Sequence, residues 1–312
     1  MFKRILVPLD GSVLAESTLA PAALLAKRCE ADLLLLGAAR ERAFPGFLTG
    51  TAQPTAGRIE RYLAMAATLL KAEGISVEAL VVTEKPASGI ATQSIFHGID
   101  LIVMATHGRA GLGALLHPSV AWGVLEQSSV PVLVLKHPDG EERTPDTSKL
   151  PRFLTDPAAP IIVPLDGSLR SERALPLAQK FAWIYAHPLV LVRAATLPYL
   201  AGGMIDYPVM LDNLQQWTLK ETGDYLQHKR DELACTGLEV KTDSLLGGAV
   251  ECIEASIQDH DAGLVVIASH GRGGLSRLLL GSVARRVLSR VEVPVMLVPT
   301  ARIEDQRKGE VA

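Results

Sequence analysis

The sequence predicts two α/β domains in tandem, each a five-stranded parallel sheet with helices on both faces. Three observations carry this. First, the chain repeats itself. VPLDGS occupies 7–12 and again 163–168, and ATHGRAGLGALLHPSV (105–120) is echoed by ASHGRGGLSRLLLGSV (268–283). The first echo has an offset of 156 residues. The second has an offset of 163, which also relates VPVLVL (130–135) to VPVMLV (293–298). Two copies of that length mean tandem domains and not a solenoid, whose periods are about 20–50 residues. Second, apolar runs alternate with helix-forming segments in both copies, the pattern of β–α crossovers. Third, runs such as DLLLLGA (32–38) and LVVIA (264–268) are almost continuously apolar, as in strands buried on both faces.

The elements follow in order. Residues 3–9 read as a strand stopped by Asp10-Gly11-Ser12, and 15–30 as a helix. A second strand spans 32–38. Pro45, Gly46, Gly50, Pro54 and Gly57 then break 40–57 into a loop. A helix over 58–73 ends at Gly74, a C-cap position. Strand 75–82, helix 88–97, strand 100–105, helix 119–128 and strand 130–135 complete the first copy. Residues 137–160 hold five prolines (138, 145, 151, 157 and 160) among charged residues, and 137–159 reads as a partly extended linker between domain 1 (1–136) and domain 2 (160–300). The second copy predicts strands at 160–165, 188–194, 238–245, 263–268 and 293–298. Its helices fall at 171–186, 209–235, 249–259 and 282–290, with a broken loop at 197–208. Residues 301–312 form a charged tail, expected to fray.

A chain of 312 residues suits two domains of roughly 150 each, and each is long enough to bury a core. A net charge of −3 gives no general electrostatic case for nucleic acid. Cys29, Cys235 and Cys252 stand apart with no C-x-x-C spacing, which favours a reducing compartment over a disulfide scaffold or zinc site. The N-terminus enters a strand directly, with no signal peptide. No apolar run approaches the ~20 residues of a membrane-spanning helix. The expectation is a cytoplasmic protein that binds neither membrane nor nucleic acid.

The chemistry concentrates in 268–283. A buried strand, a glycine-rich loop with Arg272 and Arg277, and a helix start at Gly281-Ser282-Val283 follow one another. Glycines let the backbone approach an anion. The first helical turn offers unbonded N–H groups and the positive end of its dipole, an arrangement suited to phosphate. In an open parallel sheet, ligands bind beyond the carboxyl ends of the strands where the strand order reverses. That rule brings Asp166, at the end of the first strand of domain 2, opposite Ala268–Gly271 at the end of the fourth.

On these residues the repeat resembles the universal stress protein family in its tandem form, over nearly the whole chain except linker and tail. The resemblance implies Rossmann-like or flavodoxin-like domains of the adenine nucleotide alpha hydrolase-like kind, and it implies ATP, with or without magnesium. The family's nucleotide motif is Gly, two residues, Gly, nine residues, then Gly-Ser or Gly-Thr. Ala268, Gly271, Gly281 and Ser282 match it, with alanine for the first glycine. The family's nucleoside-contacting Asp is matched by Asp166, beside Pro164 and Leu165, and Ala194 falls where a residue flanks the adenine. His270 would position the loop, and Arg272 would neutralise phosphate. In the first half Asp10, Gly108 and Ser119 remain, but Ala105 replaces the first glycine and Pro118 the glycine of Gly-Ser. Proline has no N–H and fixes φ. If the family's glycine offers its N–H to phosphate or takes positive φ, Pro118 cannot replace it. The expectation is one competent site, in domain 2. The family also pairs units through the last strand, which implies an intrachain pseudo-dimer and allows a further homodimer.

Blander readings stand beside these. Ser282 serves equally as an N-cap, and Asp10 and Asp166 as Asp-Gly turn residues. His107 and His270 lack metal-ligand spacing, and Arg109 and Arg272 suit solvated loop charges. No Walker lysine motif occurs, Ser276 fills the third glycine of a G-x-G-x-x-G, and no triad or carboxylate pair stands out. Three functions therefore remain: an ATP-binding stress regulator with at most slow hydrolysis, a nucleotide-free interaction module, and an ATP-using enzyme.

Overall fold

The computed structural model describes residues 2–39, 56–107, 120–137, 150–196, 208–270 and 280–300. The loops predicted at 40–57 and 197–208, the tail, and Gly108, Pro118, Ser119, Gly271 and Arg272 lie wholly or mainly outside them. The chain divides into two compact units, one built on Met1–Leu154 and the other on Thr155–Leu275 and Gly281–Thr300.

In the first unit, strands β1 (Arg4–Leu9), β2 (Asp32–Ala38), β3 (Val77–Val82), β4 (Leu101–His107) and β5 (Val132–His137) lie in the order β3-β2-β1-β4-β5. In the second, β6 (Ile161–Pro164), β7 (Leu189–Ala195), β8 (Val240–Leu246), β9 (Leu264–Ala268) and β10 (Val295–Val298) repeat it as β8-β7-β6-β9-β10. Pairings within each unit are parallel. The fold is the predicted doubly wound one, with the central strands sealed from water. Ile5, Leu6 and Val7 are fully buried, as are Ile161, Ile162 and Val163. Each such side chain contributes about 1.5–3 kcal/mol relative to exposure.

Helices fill the crossovers: α1 (Val13–Glu16), α2 (Leu19–Cys29), α3 (Ala56–Ala72), α4 (Pro86–Phe96) and α5 (Val120–Gln127) in the first unit. The predicted helix over 15–30 is thus two helices. Pro21 cannot donate to the Ser17 carbonyl, so the chain restarts at Leu19 with Pro21 in the first turn, where no N–H is required. The second unit does the same. A 3₁₀ turn (Ser171–Arg173) precedes α7 (Ala174–Tyr185), which has Pro176 in its first turn. The predicted linker also holds one turn of helix, α6 (Arg152–Thr155), whose Phe153 is fully buried. A large aromatic among polar residues outweighs the extended bias of the surrounding prolines. The remaining helices are α8 (Pro208–Ala234), α9 (Ala249–Asp259) and α10 (Ser282–Arg290). The last two begin and end where the sequence predicts.

Candidate functional site

The strand order reverses between β6 and β9, and the sequence opens the sheet there. β6 and β9 pair only at Ile161↔Leu264 and Ile162↔Val265. The N–H groups of Ile161 and Leu165 go to Pro188 and Val192 on the β7 side. Alternation along a strand therefore turns position 164 toward β9, and Pro164 has no N–H to give. The ladder stops and leaves a crevice at the carboxyl ends. Pro8 repeats this in the first unit, where β1 and β4 pair only at Ile5↔Leu101 and Leu6↔Ile102.

On the β6 side, buried Leu165 leads into Asp166-Gly167-Ser168. Gly167 takes φ +81, the left-handed conformation that glycine adopts without strain. Asp166 Oδ1 accepts from the Ser168 N–H at 2.9 Å and its hydroxyl at 2.6 Å. Ser168 Oγ accepts in turn from the Ser171 N–H at 3.2 Å. Asp166 is therefore a turn residue as well as a half-buried carboxylate at the crevice mouth. Asp10 makes the same turn, its Oδ1 accepting from Ser12 N–H at 2.9 Å, with Gly11 at φ +80. It is exposed, unlike Asp166.

On the β9 side, buried Ala268 passes the chain to Ser269 and His270. The Gly281 N–H donates to the Ser269 carbonyl at 2.8 Å, stitching the start of α10 to the end of β9. Gly281 has φ −57, and a Cβ there would lie 2.9 Å from the Ser269 oxygen and 3.4 Å from His270 Cα. This revises the conditional reading of the glycine. It neither offers its N–H to a ligand nor takes positive φ; it permits close approach of two backbones. The first helical bond of α10 runs from Arg285 N–H to the Gly281 carbonyl at 2.9 Å. The N–H groups of Ser282 and Val283 precede it and point out of the helix end. Gly281 is the N-cap, and Ser282 is an exposed first-turn residue.

A hydroxyl cluster that sequence reasoning missed fixes His270. Its Nδ1 lies 3.2 Å from Ser269 Oγ and 3.4 Å from Thr300 Oγ1, while the Thr300 N–H donates to Ser269 Oγ at 3.1 Å. Arg173 Nη1 donates to the Thr300 carbonyl. Beside Asp166, Glu172 accepts from Tyr225 Oη at 2.9 Å and pairs with Lys229 at 3.1 Å. Burial and Glu172 push the Tyr225 phenol above its ordinary value. Buried Arg193 lies over the Tyr225 ring at 4.8 Å and reaches Glu221 at 3.4 Å. The repeat held a signal for part of this, since Glu16 and Tyr62 precede Glu172 and Tyr225 by the offsets of the two echoes. Ala194, half-buried at the end of β7, neighbours Arg193 but by strand alternation faces the other side of the sheet.

Pro164, Leu165, Asp166, Ala268, His270, Gly281, Ser282 and Val283 therefore gather around one crevice, with Ala194 at the neighbouring strand end. Of the first-half counterparts, Asp10 directly follows β1 and Ala105 lies within β4. Among the described residues no three His, Cys, Asp or Glu side chains group as metal ligands, and no helix is long and apolar enough to cross a membrane.

Comparison with known proteins agrees with this architecture. The family model described as the universal stress protein family matches residues 1–136 and 158–299. A universal stress protein of Mycolicibacterium smegmatis is 27% identical over 239 residues, covering 72% of this chain and 69% of its own. The Mycobacterium tuberculosis universal stress protein Rv2005c is also 27% identical, with the same coverage. The crystal structure of a universal stress protein from Archaeoglobus fulgidus superposes over 96% of this chain and 97% of its own, with a TM-score of 0.68 and 20% identity.

Proposed function

The chain belongs to the universal stress protein family, and on that premise we propose that it is a stress-response regulator whose second half binds ATP in the crevice between β6 and β9. One observation carries the reading: Gly281 fastens the start of α10 to the end of β9, so that the Ser282 and Val283 N–H groups stand at the same crevice as Asp166. Those N–H groups and the helix dipole suit an α-phosphate. Asp166 suits a ribose hydroxyl, and Ala194 leaves room for a base. A bound magnesium ion would lie on the phosphates and would need no carboxylate cluster from the protein.

The first half shares the strand order and the Asp-Gly-Ser turn. Pro118 stands where the repeat places Gly281. Proline has no N–H to donate and carries a Cβ that glycine lacks, so it is not equivalent to glycine in a bond such as that of Gly281 to Ser269. We infer a single nucleotide per chain, with occupancy biasing conformation or the choice of protein partner in the cytoplasm. No general base is assigned, so hydrolysis is slow.

The test is to release small molecules from freshly purified protein and identify them by chromatography and mass. One intact ATP per chain supports the reading. Two per chain would show that Pro118 is tolerated. An empty protein with no affinity for added ATP would favour a nucleotide-free interaction module, the reading that Pro118 and the missing first glycines also suit.

A further inference from the structure

We propose that the β3 edge of the first unit is a dimer interface, where a second copy of this chain adds its own β3 antiparallel about a two-fold axis at Ala79. The interface needs no nucleotide in the second half. β3 ends the strand order of its unit, with no further strand beside it among the described residues. The Leu33 N–H donates to the Ser76 carbonyl and the Ala39 N–H to the Val82 carbonyl, both at 2.8 Å, so the even-numbered residues bond β2. Val77, Ala79 and Val81 alternate with them and turn their N–H and C=O groups outward. Beside them runs a groove of about 510 Å³, lined by Ala64, Ala67, Thr68 and Lys71 of α3 with Val77 and Ala79.

The second half has the same edge in a closed form. The offset of 163 residues aligns Gly74 with Gly237, both at positive φ, and β3 with β8. Ala64 and Ala79 then correspond to Gln227 and Thr242, whose side chains hydrogen-bond at 3.2 Å. Ala67 and Thr68 correspond to Arg230 and Asp231, an ion pair at 2.7 Å. Glu78 and Leu80 correspond to Lys241 and Asp243. Charged side chains on an edge strand keep it from pairing with other chains. β3 carries one charge, Glu78, and Arg4 of the same unit pairs with it at 2.6 Å.

What β3 offers is complementary to itself. About the proposed axis the outward groups of Val77 meet those of Val81 in the second copy, and Ala79 meets its own image. Antiparallel residues that exchange both bonds stand about 5.5 Å apart at Cα, and alanine leaves the axis uncrowded. Glu78 falls opposite Leu80 of the second copy, so no like charges face each other. A Cβ on Gly37 would lie 2.8 Å from Ile59 of α3, and Gly37 pairs with Val81, so the odd-numbered side chains share the α3 face. α3 packs on both β2 and β3. Its image would then stand two strand spacings away, about 10 Å, an ordinary distance for packed helices. The two helices would run antiparallel, which sets their Lys71 side chains at opposite ends.

The experiment is sedimentation velocity of the full chain from low to high micromolar concentration. The wild type is expected to shift from one chain to two. Ala79→Lys sets two ammonium groups against each other on the axis, and Ala79→Pro removes an outward N–H that no bond to β2 uses. Either should weaken dimerisation at least about tenfold, the value of a lost hydrogen-bonded contact, with the urea midpoint of the monomer little changed. Ala79→Lys, at an exposed position, tests the axis if Ala79→Pro does not fold. Cys235 is exposed, so cross-linking uses a Cys235→Ser background. There Ala79→Cys should join its own image under mild oxidation, since the Cα spacing lies within disulfide range, while Thr242→Cys on β8 should not. A dimer that neither Ala79 variant weakens and that Ala79→Cys does not cross-link lies on another face and overturns the proposal. A wild type that stays monomeric throughout also overturns it, and leaves the edge to an extended segment of another protein.

Discussion

Tyr225 donates a hydrogen bond of 2.9 Å to Glu172, fastening α8 to the 3₁₀ turn that follows Asp166. In the first half the equivalent residues are Tyr62 and Glu16, and among the described residues the buried Tyr62 hydroxyl makes no hydrogen bond of ordinary geometry. Burial and Glu16 nevertheless push the Tyr62 phenol above its ordinary value. The same two side chains thus do different things in the two halves.

Tyr225→Phe is expected to destabilise the second unit by about 1.5 kcal/mol, the net worth of a hydrogen bond to a charged acceptor. Tyr62→Phe should cost less than Tyr225→Phe, because among the described residues the Tyr62 hydroxyl makes no hydrogen bond of ordinary geometry. Urea unfolding of the two variants checks this. Equal losses in both would contradict it.

Gly281→Ala places a Cβ 2.9 Å from a backbone oxygen, so the start of α10 must move. A stability loss of about 1–3 kcal/mol is expected, as for overpacking, with at least a tenfold loss of ATP affinity. Gly281→Pro fits φ −57 but also removes the bond to Ser269, so binding should vanish. Calorimetry on folded variants reads the outcome. Undiminished affinity in Gly281→Pro would remove this end of the site.

Pro164→Ala restores an N–H on the β9 side of β6. The ladder is then free to extend beyond Ile162↔Val265 and narrow the crevice. Weaker ATP binding with equal or greater resistance to urea is the expected pairing. Unchanged affinity would mean that the proline does not set the opening.

Lys136, half-buried in β5, has its amine pushed down from 10.5 to about 8 by burial. Below about pH 8 both folded and unfolded chains carry the charge, and the folded one bears the desolvation cost in full. Between 8 and 10.5 the folded chain sheds the proton while the unfolded chain keeps it, so stability rises with pH across that window. Lys136→Met should raise stability at pH 7 and flatten the rise. Denaturation midpoints between pH 7 and 11 check both.

Much of this fold was legible because parallel strands are buried on both faces and read as apolar runs. The boundaries of α9 and α10 were legible because glycines and a charged outer face punctuate them. Pro21 was equally visible, yet its effect depends on whether it falls inside a helix or in a first turn, which the helical pattern alone does not decide. At the site, the Asp-Gly-Ser turn and the glycine before α10 could be read in the sequence. The Ser269–Thr300 bond could not, because it joins residues 31 apart whose types are ordinary at strand ends. The reason for glycine at 281 was also hidden, since close packing and positive φ leave the same letter.

Pro8 and Pro164 open both crevices, and Asp10-Gly11-Ser12 and Asp166-Gly167-Ser168 shape both mouths. The opening is thus a by-product of how each unit is built, present whether or not anything occupies it. For protein engineering this offers the first half as a second opening of the same build. A new ligand specificity could be sought there by changing residues such as Leu14 and Ser17, which follow the Asp10 turn in sequence, while the second half serves in the same molecule as the unaltered reference.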